Sequence, residues 1–253
     1  MGEPLEYYVK DMFANSFHLL DKEEKIEAYK KYFSLLGNQN NPPDFILAQS
    51  DAVEVKKIEN ITNGLALNSS SPKEYLYAND PKTTDECRKC EDSITPWKVK
   101  DILYVIGAVK EGKITSLWFV YGNCYAASSN VYRKIMQGIA RGIRDIPDIA
   151  FKETMEVEKV NKVDPLGITY LRIRGMWGIK SPATVFKYLY THMNTIPTLN
   201  VVLLRSKYDN LKKDLRTDEV MLLEKSFLIN PVSIANPNNP AQQLDAVYIT
   251  GNL

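Results

Sequence analysis

The stretch at residues 40–59, NNPPDFILAQSDAVEVKKIE, decides the fold that this sequence predicts. Its two apolar runs, DFILA and AVEVKKI, are separated by Gln-Ser-Asp at 49–51, which is typical of two antiparallel strands joined by a three-residue loop. Pairing across that loop sets Ala48 opposite Ala52. Because side chains alternate between the two faces of a strand, the even-numbered residues of both strands share one face.

That shared face carries three charged residues, Asp44, Glu54 and Lys56. Mg²⁺ prefers hard oxygen ligands and usually takes one or two carboxylates, with water and phosphate oxygens as the other ligands. Asp44 and Glu54 fit that role, and the backbone carbonyl of Val55 is a possible third ligand. Lys56 is then placed to orient or deprotonate a water molecule and to offset charge on a phosphate. The alternative is a solvated hairpin face, because such a pattern also occurs by chance.

The segments around this hairpin predict further helices and strands. Apolar residues at 5, 9, 12 and 13 form one stripe of an opening helix. A second helix is predicted over 21–37, with Asp21 as N-cap and Gly37 at its C-terminal end. Residues 101–109 and 114–122 predict two central strands. Residues 131–146 predict an amphipathic helix packed on that sheet, because their isoleucines recur every four positions.

The remainder of the chain gives weaker patterns. Strands are predicted over 167–175 and 200–206, and helices over 181–193 and 217–227. The lysine-rich stretch after residue 206 mixes lysines with aspartates and is interpreted as a solvated helix face. The tail from residue 230 holds three prolines and is predicted to be loop or extended structure.

Length and composition favour an ordinary globular protein. The 253 residues are 44% hydrophobic with a net charge of +1, which predicts a single domain over 1–253 and no global basic field. No apolar run approaches the ~20 residues that cross a bilayer, and no secretory signal begins the chain, so a cytoplasmic location without membrane contact is expected.

Histidine and cysteine content disfavours other chemistries. With only His18 and His192, an HNH-type site or a Ser-His-Asp triad has few residues to draw on. Cys87 and Cys90 form a C-x-x-C pair, but a closed structural zinc site needs four ligands and only Cys124 remains. No zinc is therefore expected.

Several blocks of the sequence resemble, in the same order, those of the NgoPII restriction endonuclease family. The blocks are LEYYVKDMFANSF (5–17), NNPPDFILAQSDAVEVKKIE (40–59), LALNSSSPK (65–73), WKVKDILYVIGAV (97–109), LWFVYGNCYAAS (117–128) and KVDPLGITYLRIRGMWGI (162–179). The resemblance spans about residues 3–190. It also leads us to expect that relatives have a longer segment before the first helix.

This resemblance implies an α/β fold of the PD-(D/E)XK nuclease type, with a central mixed sheet flanked by helices. With it we expect a catalytic core at about 1–150 and DNA-recognition elements at about 151–253. It implies Mg²⁺-dependent double-strand cleavage of DNA at GGCC, with Asp44, Glu54 and Lys56 as the catalytic residues. Mn²⁺ is expected to replace Mg²⁺, and the products should carry 5′-phosphates and 3′-hydroxyls. We expect a homodimer, because a two-fold protein axis matches a palindromic site, and a cognate DNA methyltransferase in the host.

Other residues are candidates with a plain alternative each. Glu6 is a possible additional acid, or an ordinary residue near a helix N-terminus. The residues Asn68, Ser69, Ser70 and Lys73 follow the catalytic strand and are candidate DNA contacts, or a turn and helix cap. Arg172 and Arg174 share a strand face and are candidates for reading guanine, or for contacting phosphate or forming a surface salt bridge.

Two other functions remain open at this point. One is a nuclease of the same fold with a repair or mobile-element role. The other is a catalytically inactive DNA-binding protein of this fold, which the presence of Asp44, Glu54 and Lys56 disfavours.

Overall fold

The computed structural model describes residues 3–38, 41–68, 70–91, 96–146, 150–152, 158–163, 168–169, 171–189 and 196–253. Its helices are α1 (Glu3–Ala14), α2 (Lys22–Tyr32), α3 (Asp85–Arg88), α4 (Gly122–Tyr125), α5 (Ser129–Arg144), α6 (Pro182–Val185), α7 (Arg205–Asp214) and α8 (Thr217–Ser226). Its strands are β1 (Phe33–Asn38), β2 (Asn41–Leu47), β3 (Ala52–Ile58), β4 (Leu65–Asn68), β5 (Tyr75–Tyr77), β6 (Val99–Lys110), β7 (Lys113–Tyr121), β8 (Ala150–Lys152), β9 (Glu158–Lys162), β10 (Leu171–Ile173), β11 (Trp177–Ile179), β12 (Thr198–Leu204), β13 (Leu228–Asn236) and β14 (Asn239–Asn252).

A large mixed sheet organises these elements. Its strand order is β1-β2-β3-β6-β7-β12-β14-β13, and β5 also pairs with β6. β3 runs parallel to β6 and β12 runs parallel to β7, whereas the other neighbours are antiparallel. Two smaller sheets contain β8, β9 and β10, and β4 with β11. The predicted α/β class with a central mixed sheet flanked by helices is confirmed.

Two apolar layers cover the two faces of the central sheet. One layer packs α1, α2 and α7 against the sheet through residues that include Leu5, Val9, Tyr29, Phe45, Val53, Val105 and Tyr208. The other layer lies beneath α4 and α6 and includes Ile46, Ala52, Tyr104, Ile106, Trp118, Tyr125 and Phe186. Alternation along β3 therefore places Glu54 and Lys56 on the face of the second layer.

The apolar stripe predicted on the first helix and the pair of strands predicted over 101–109 and 114–122 are both confirmed. Leu5 and Val9 are buried, and Met12 and Phe13 pack partly buried beside them. β6 and β7 pair from Leu103–Tyr121 to Lys110–Lys113, and their turn places Glu111 and Gly112 at positive φ. Two successive residues at positive φ are typical of the tight hairpin turns that match the twist of the strands.

The prediction that the second helix continues to residue 37 is wrong. α2 begins after Asp21, whose carboxylate accepts hydrogen bonds from the backbone N–H groups of Glu23 and Glu24, and it ends at Tyr32. The next six residues form β1, which pairs antiparallel with β2. Phe33 and Leu35 are buried there, so strand pairing and burial override local helix propensity at FSLLG.

The amphipathic helix predicted over 131–146 forms as α5, but it does not pack on the central sheet. Val131, Ile135 and Ile139 are 46–50% exposed. A neighbouring face of α5 makes the contacts instead, since the ring of Tyr132 lies edge-on to that of Trp177 at 5.4 Å. The spacing of apolar residues predicts a helix with an apolar stripe, but it does not specify what that stripe contacts.

The C-terminal tail is extended, which is one of the two predicted alternatives, but its pairing into the central sheet was not predicted. Residues predicted to be loop or extended structure form β13 and β14, a long hairpin that joins the central sheet through β12. Pro231 lies on β13, the terminal strand of that sheet, and an edge strand tolerates a residue that lacks an N–H. Ala246, Val247 and Tyr248 on β14 are buried, which explains why the hairpin is ordered.

The other late elements follow the prediction in part. The strand predicted at 200–206 is β12, and the helix predicted at 217–227 is α8. The predicted strand over 167–175 is shorter, since β10 covers only Leu171–Ile173. Of the predicted helix over 181–193, α6 covers Pro182–Val185, and residues 190–193 lie outside the described residues. Among the described helices, none is both long and apolar enough to cross a bilayer.

Candidate active site

The structure brings Asp44, Glu54 and Lys56 together at β2 and β3. The ammonium of Lys56 donates to Glu54 Oε1 at 2.6 Å and lies 4.0 Å from Asp44 Oδ2. It also donates to the carbonyl of Val55 at 3.2 Å. The three side chains are 12–24% exposed, so they form a largely buried charged cluster that still contacts solvent.

The hairpin register that we predicted is wrong by two residues. Phe45 pairs with Val53 and Ile46 pairs with Ala52, so the chain turns over Ala48–Ser50 rather than over 49–51. A shift of one residue would have moved every side chain of β2 to the opposite face, whereas a shift of two preserves the faces. Asp44, Glu54 and Lys56 therefore still lie on the same face of the hairpin.

Asp44 lies where β2 separates from β3. Its carboxylate accepts the backbone N–H of Val55 at 2.6 Å, in place of a strand-to-strand hydrogen bond. On its other side, β2 approaches β1 closely, since a Cβ built on Gly37 would lie 2.2 Å from the carbonyl oxygen of Pro43. Gly37 is thus a position of close backbone approach beside Asp44.

Burial and neighbouring charges shift the pKa values of Asp44 and Lys56. The pKa of Asp44 is raised to about 7, mainly by burial and then by the negative charge of Glu54, against opposing effects of Lys56 and the Val55 N–H. Burial alone would lower the pKa of Lys56, but the charges of Glu54 and Asp44 outweigh it and raise that pKa. Because the negative charge of Glu54 opposes the ionisation of Asp44, a cation beside both carboxylates would stabilise their charged forms.

The donor set fits a small hard cation. Asp44, Glu54 and the Val55 carbonyl supply oxygen atoms only, which is the preference of Mg²⁺. Among the described residues, no group of three or more His, Cys, Asp and Glu side chains is arranged to hold a metal. A two-carboxylate site agrees with the usual sparse protein coordination of Mg²⁺.

Glu6 reaches this cluster from α1, which packs on the opposite face of the sheet. Its carboxylate accepts a hydrogen bond from Lys10 at 2.6 Å. The negative charge of Glu6 contributes to the raised pKa values of Asp44 and Lys56, although it is the smallest of the contributions named for either group. Glu6 is therefore near the cluster, but its oxygen is paired with Lys10.

Ser70 and Lys73 lie beside Glu54 rather than on an open surface. Together with Glu54 and Tyr104 they line a small cavity. Burial lowers the pKa of the Lys73 ammonium. Asn68 ends β4 with a φ of 51°, and Ser69 lies outside the described residues.

Sequence reasoning did not identify Tyr104. It pairs with Glu54 in the parallel register of β3 and β6, and its hydroxyl accepts the backbone N–H of Lys73 at 2.8 Å. The only signal in the sequence is a polar hydroxyl within a run of apolar residues that is predicted to be a central strand.

Arg172 and Arg174 are exposed, and the strand that follows them, β11, pairs with β4. In β11, Trp177 pairs with Asn68, the last residue of β4. Arg172 lies within β10, whereas Arg174 follows its end, so the two do not share one continuous strand. Both arginines have polar or charged partners in this structure.

Comparison with known proteins identifies the family of this chain. Residues 1–235 match the sequence profile of the NgoPII restriction endonuclease family. The chain belongs to this family. It is 43% identical over 255 residues to the Type II restriction enzyme NgoPII of Neisseria gonorrhoeae, an alignment that covers 100% of this chain and 89% of the relative. No solved structure matches the chain.

Membership of the NgoPII family settles the class of activity. The chain is a type II restriction endonuclease, which is a site-specific deoxyribonuclease that acts on DNA within a restriction-modification system. A repair or mobile-element role and an inactive binding protein are thus not supported. The match also extends beyond the blocks that carried the resemblance, through α7, α8 and most of β13.

Proposed function

We propose that the cluster of Asp44, Glu54 and Lys56 is the catalytic site of a Mg²⁺-dependent endonuclease that makes double-strand cuts at GGCC. The observation that carries this proposal is the convergence of two carboxylates on one ammonium on adjacent strands, with Glu54 at 2.6 Å and Asp44 at 4.0 Å from Lys56 Nζ. The specificity for GGCC is supported by the family resemblance and by the two exposed arginines near β11.

Each residue of the cluster has a distinct role in this proposal. Asp44 and Glu54 would hold the metal together with the carbonyl of Val55. Bound Mg²⁺ supplies a Lewis acid that activates water and offsets charge on the phosphate. The Lys56 ammonium would orient the attacking water and stabilise negative charge that develops on the phosphate. In-line attack on phosphorus would leave a 5′-phosphate and a 3′-hydroxyl. Glu6 would be an additional acid near the metal.

Residues outside the cluster would position the DNA. We propose that Arg172 and Arg174 contact guanine bases, and that Asn68 and Ser69 contact the DNA backbone near the cut. Ser70 and Lys73, the other two candidates of that segment, line a cavity with Glu54, which favours a role at the cluster over direct contact with DNA. The chain would form a single domain over 1–253, with a catalytic core before about residue 150 and the DNA-recognition elements after it.

The assembly and its setting complete the proposal. A homodimer would let each subunit cut one strand of a palindromic site, because the protein and DNA two-fold axes coincide. A cognate methyltransferase would protect the host DNA. Enzyme and methyltransferase would both act in the cytoplasm, where that DNA is.

The metal requirement is tested by digestion of plasmid DNA with the purified protein. We expect discrete fragments with Mg²⁺ or Mn²⁺ and none with Ca²⁺, because Ca²⁺ accepts oxygen ligands in a looser geometry that positions water poorly. Chelation should stop the reaction at once. Sustained cleavage in excess EDTA would exclude the metal-dependent mechanism, and a smear in place of bands would exclude site specificity.

A further inference from the structure

A small cavity behind Glu54 is lined by polar groups that the proposed mechanism does not use. Its lining includes Glu54, Ser70, Lys73 and Tyr104, and it has room for about one water molecule. Within the described part of the chain, Glu54 Oε2 and Ser70 Oγ are buried and have no hydrogen-bond partner. Buried polar atoms are rarely left without a partner, so this cavity requires an explanation.

The two oxygens of Glu54 face different surroundings. Oε1 accepts the hydrogen bond from Lys56, in the cluster with Asp44. Oε2 is the buried atom without a partner, and the residue as a whole is 9% exposed. One side of the carboxylate therefore belongs to the cluster, and the other requires a donor from elsewhere.

Lys73 is a cationic residue that lines the same cavity, and its backbone is held by Tyr104. The Tyr104 hydroxyl accepts the Lys73 N–H at 2.8 Å and donates to the Lys73 carbonyl at 3.3 Å. Tyr104 is itself paired in register with Glu54 across β3 and β6. Among the described residues, the Lys73 ammonium forms no ion pair at salt-bridge distance, and the negative charges of Asp80 and, more weakly, Glu54 act on it.

We propose that Lys73 is a positioning residue for Glu54. Its ammonium and the Ser70 hydroxyl would hold Glu54 Oε2 through one ordered water in this cavity, which keeps Oε1 in the cluster with Lys56 and Asp44. This inference rests on the proposed function of Glu54 as a metal ligand. It assigns to Lys73 and Ser70 a role different from direct contact with DNA.

The sign of the effect on metal affinity separates positioning from simple charge repulsion. Removing a nearby positive charge should by Coulomb's law alone strengthen the binding of a divalent cation. Loss of a group that orients a metal ligand typically weakens metal affinity by about 10–100-fold. The variant Lys73→Met removes the charge while keeping a long side chain.

The test is calorimetric titration of the DNA-free protein with Mn²⁺. We expect Lys73→Met to bind Mn²⁺ about 10–100-fold more weakly than the native chain, and Lys73→Arg to recover part of the loss. Ser70→Ala should show a smaller loss in the same direction without any change in charge. Lys225→Met, which removes an exposed lysine from α8, is the matched control and should bind like the native chain.

A parallel measurement of metal-free binding to a GGCC duplex should give equal affinities for Lys73→Met and the native chain. Unchanged or tighter Mn²⁺ binding by both Lys73→Met and Ser70→Ala would overturn the inference. So would a loss of DNA affinity with unaltered Mn²⁺ binding, which identifies a phosphate contact. If Glu54→Ala binds Mn²⁺ as the native chain does, the proposed metal site itself fails, and that result is distinct from the others.

Discussion

At the scale of single residues, Arg172 and Arg174 are the sharpest candidates for reading sequence. Both are exposed, just before the strand that pairs with β4. A guanidinium can bind O6 and N7 of one guanine, and such a contact discriminates by about 1–3 kcal/mol. Replacing the arginine that reads guanine by Ala should therefore weaken binding to a GGCC duplex by about 10–100-fold and to a scrambled duplex much less.

Equilibrium binding to both duplexes at two salt concentrations decides the role of each arginine. A phosphate contact would weaken both duplexes equally and reduce the salt slope by about one unit. Lys225→Ala removes one exposed charge from α8 and should alter neither affinity. Equal losses on both duplexes for Arg172→Ala and Arg174→Ala would reject base reading by either arginine.

The sequence predicts some site residues much better than others. Asp44, Glu54 and Lys56 could be grouped because strand alternation is a local rule that survives a register error of two. The burial of Lys73 beside Glu54 could not be predicted, because it depends on β6, which brings Tyr104 from about 30 residues further along the chain. Local periodicity contains no information about that contact.

At the scale of elements, glycine substitutions test how α4 holds the segment that carries Lys73. A Cβ on Gly122 would lie 2.4 Å from the Lys73 carbonyl and 2.5 Å from that of Glu74, so this backbone would have to move. Gly122→Ala should destabilise the fold by about 1–3 kcal/mol. Gly138, in α5, has nothing within 4 Å of a built Cβ, and Gly138→Ala should stabilise by up to about 1 kcal/mol.

Urea denaturation of both glycine variants and the native chain measures these opposite signs. Gly138→Ala is the internal control for the chemical change, because both variants add the same methyl group. A Gly122→Ala protein as stable as the native chain would show that the packing around Lys73 adjusts freely.

The sequence predicts helices and strands correctly where a single spacing of apolar residues extends through the whole segment. The β6–β7 hairpin and α8 follow from local periodicity. The pairing of the tail as β13 and β14 was not predicted, because its prolines favour irregular structure. The position of β13 at the sheet edge accommodates Pro231. Lys207 was interpreted as part of a solvated face, yet it pairs with Asp51 at 2.8 Å and Asp101 at 2.7 Å. Such pairing depends on strand order, which the sequence pattern does not give.

At the scale of the whole molecule, the proposed symmetry has a direct consequence. A palindromic site is matched by two identical subunits related by a two-fold axis. Sedimentation with a GGCC duplex should therefore give a complex of two chains per duplex. A complex with one chain per duplex that still cuts both strands would contradict the homodimer.

The central claim is that the cluster on β2 and β3 performs the cleavage. The most direct measurement compares native protein with Asp44→Ala, Glu54→Ala and Lys56→Ala on a plasmid that carries one GGCC site, in Mg²⁺. We expect each variant to lose at least about 100-fold in cutting rate while metal-free binding to GGCC persists. Lys57→Ala, on the opposite strand face, is the control, and sequenced ends of the native digest should fall within GGCC. Native cutting rates in any of the three variants would contradict the account.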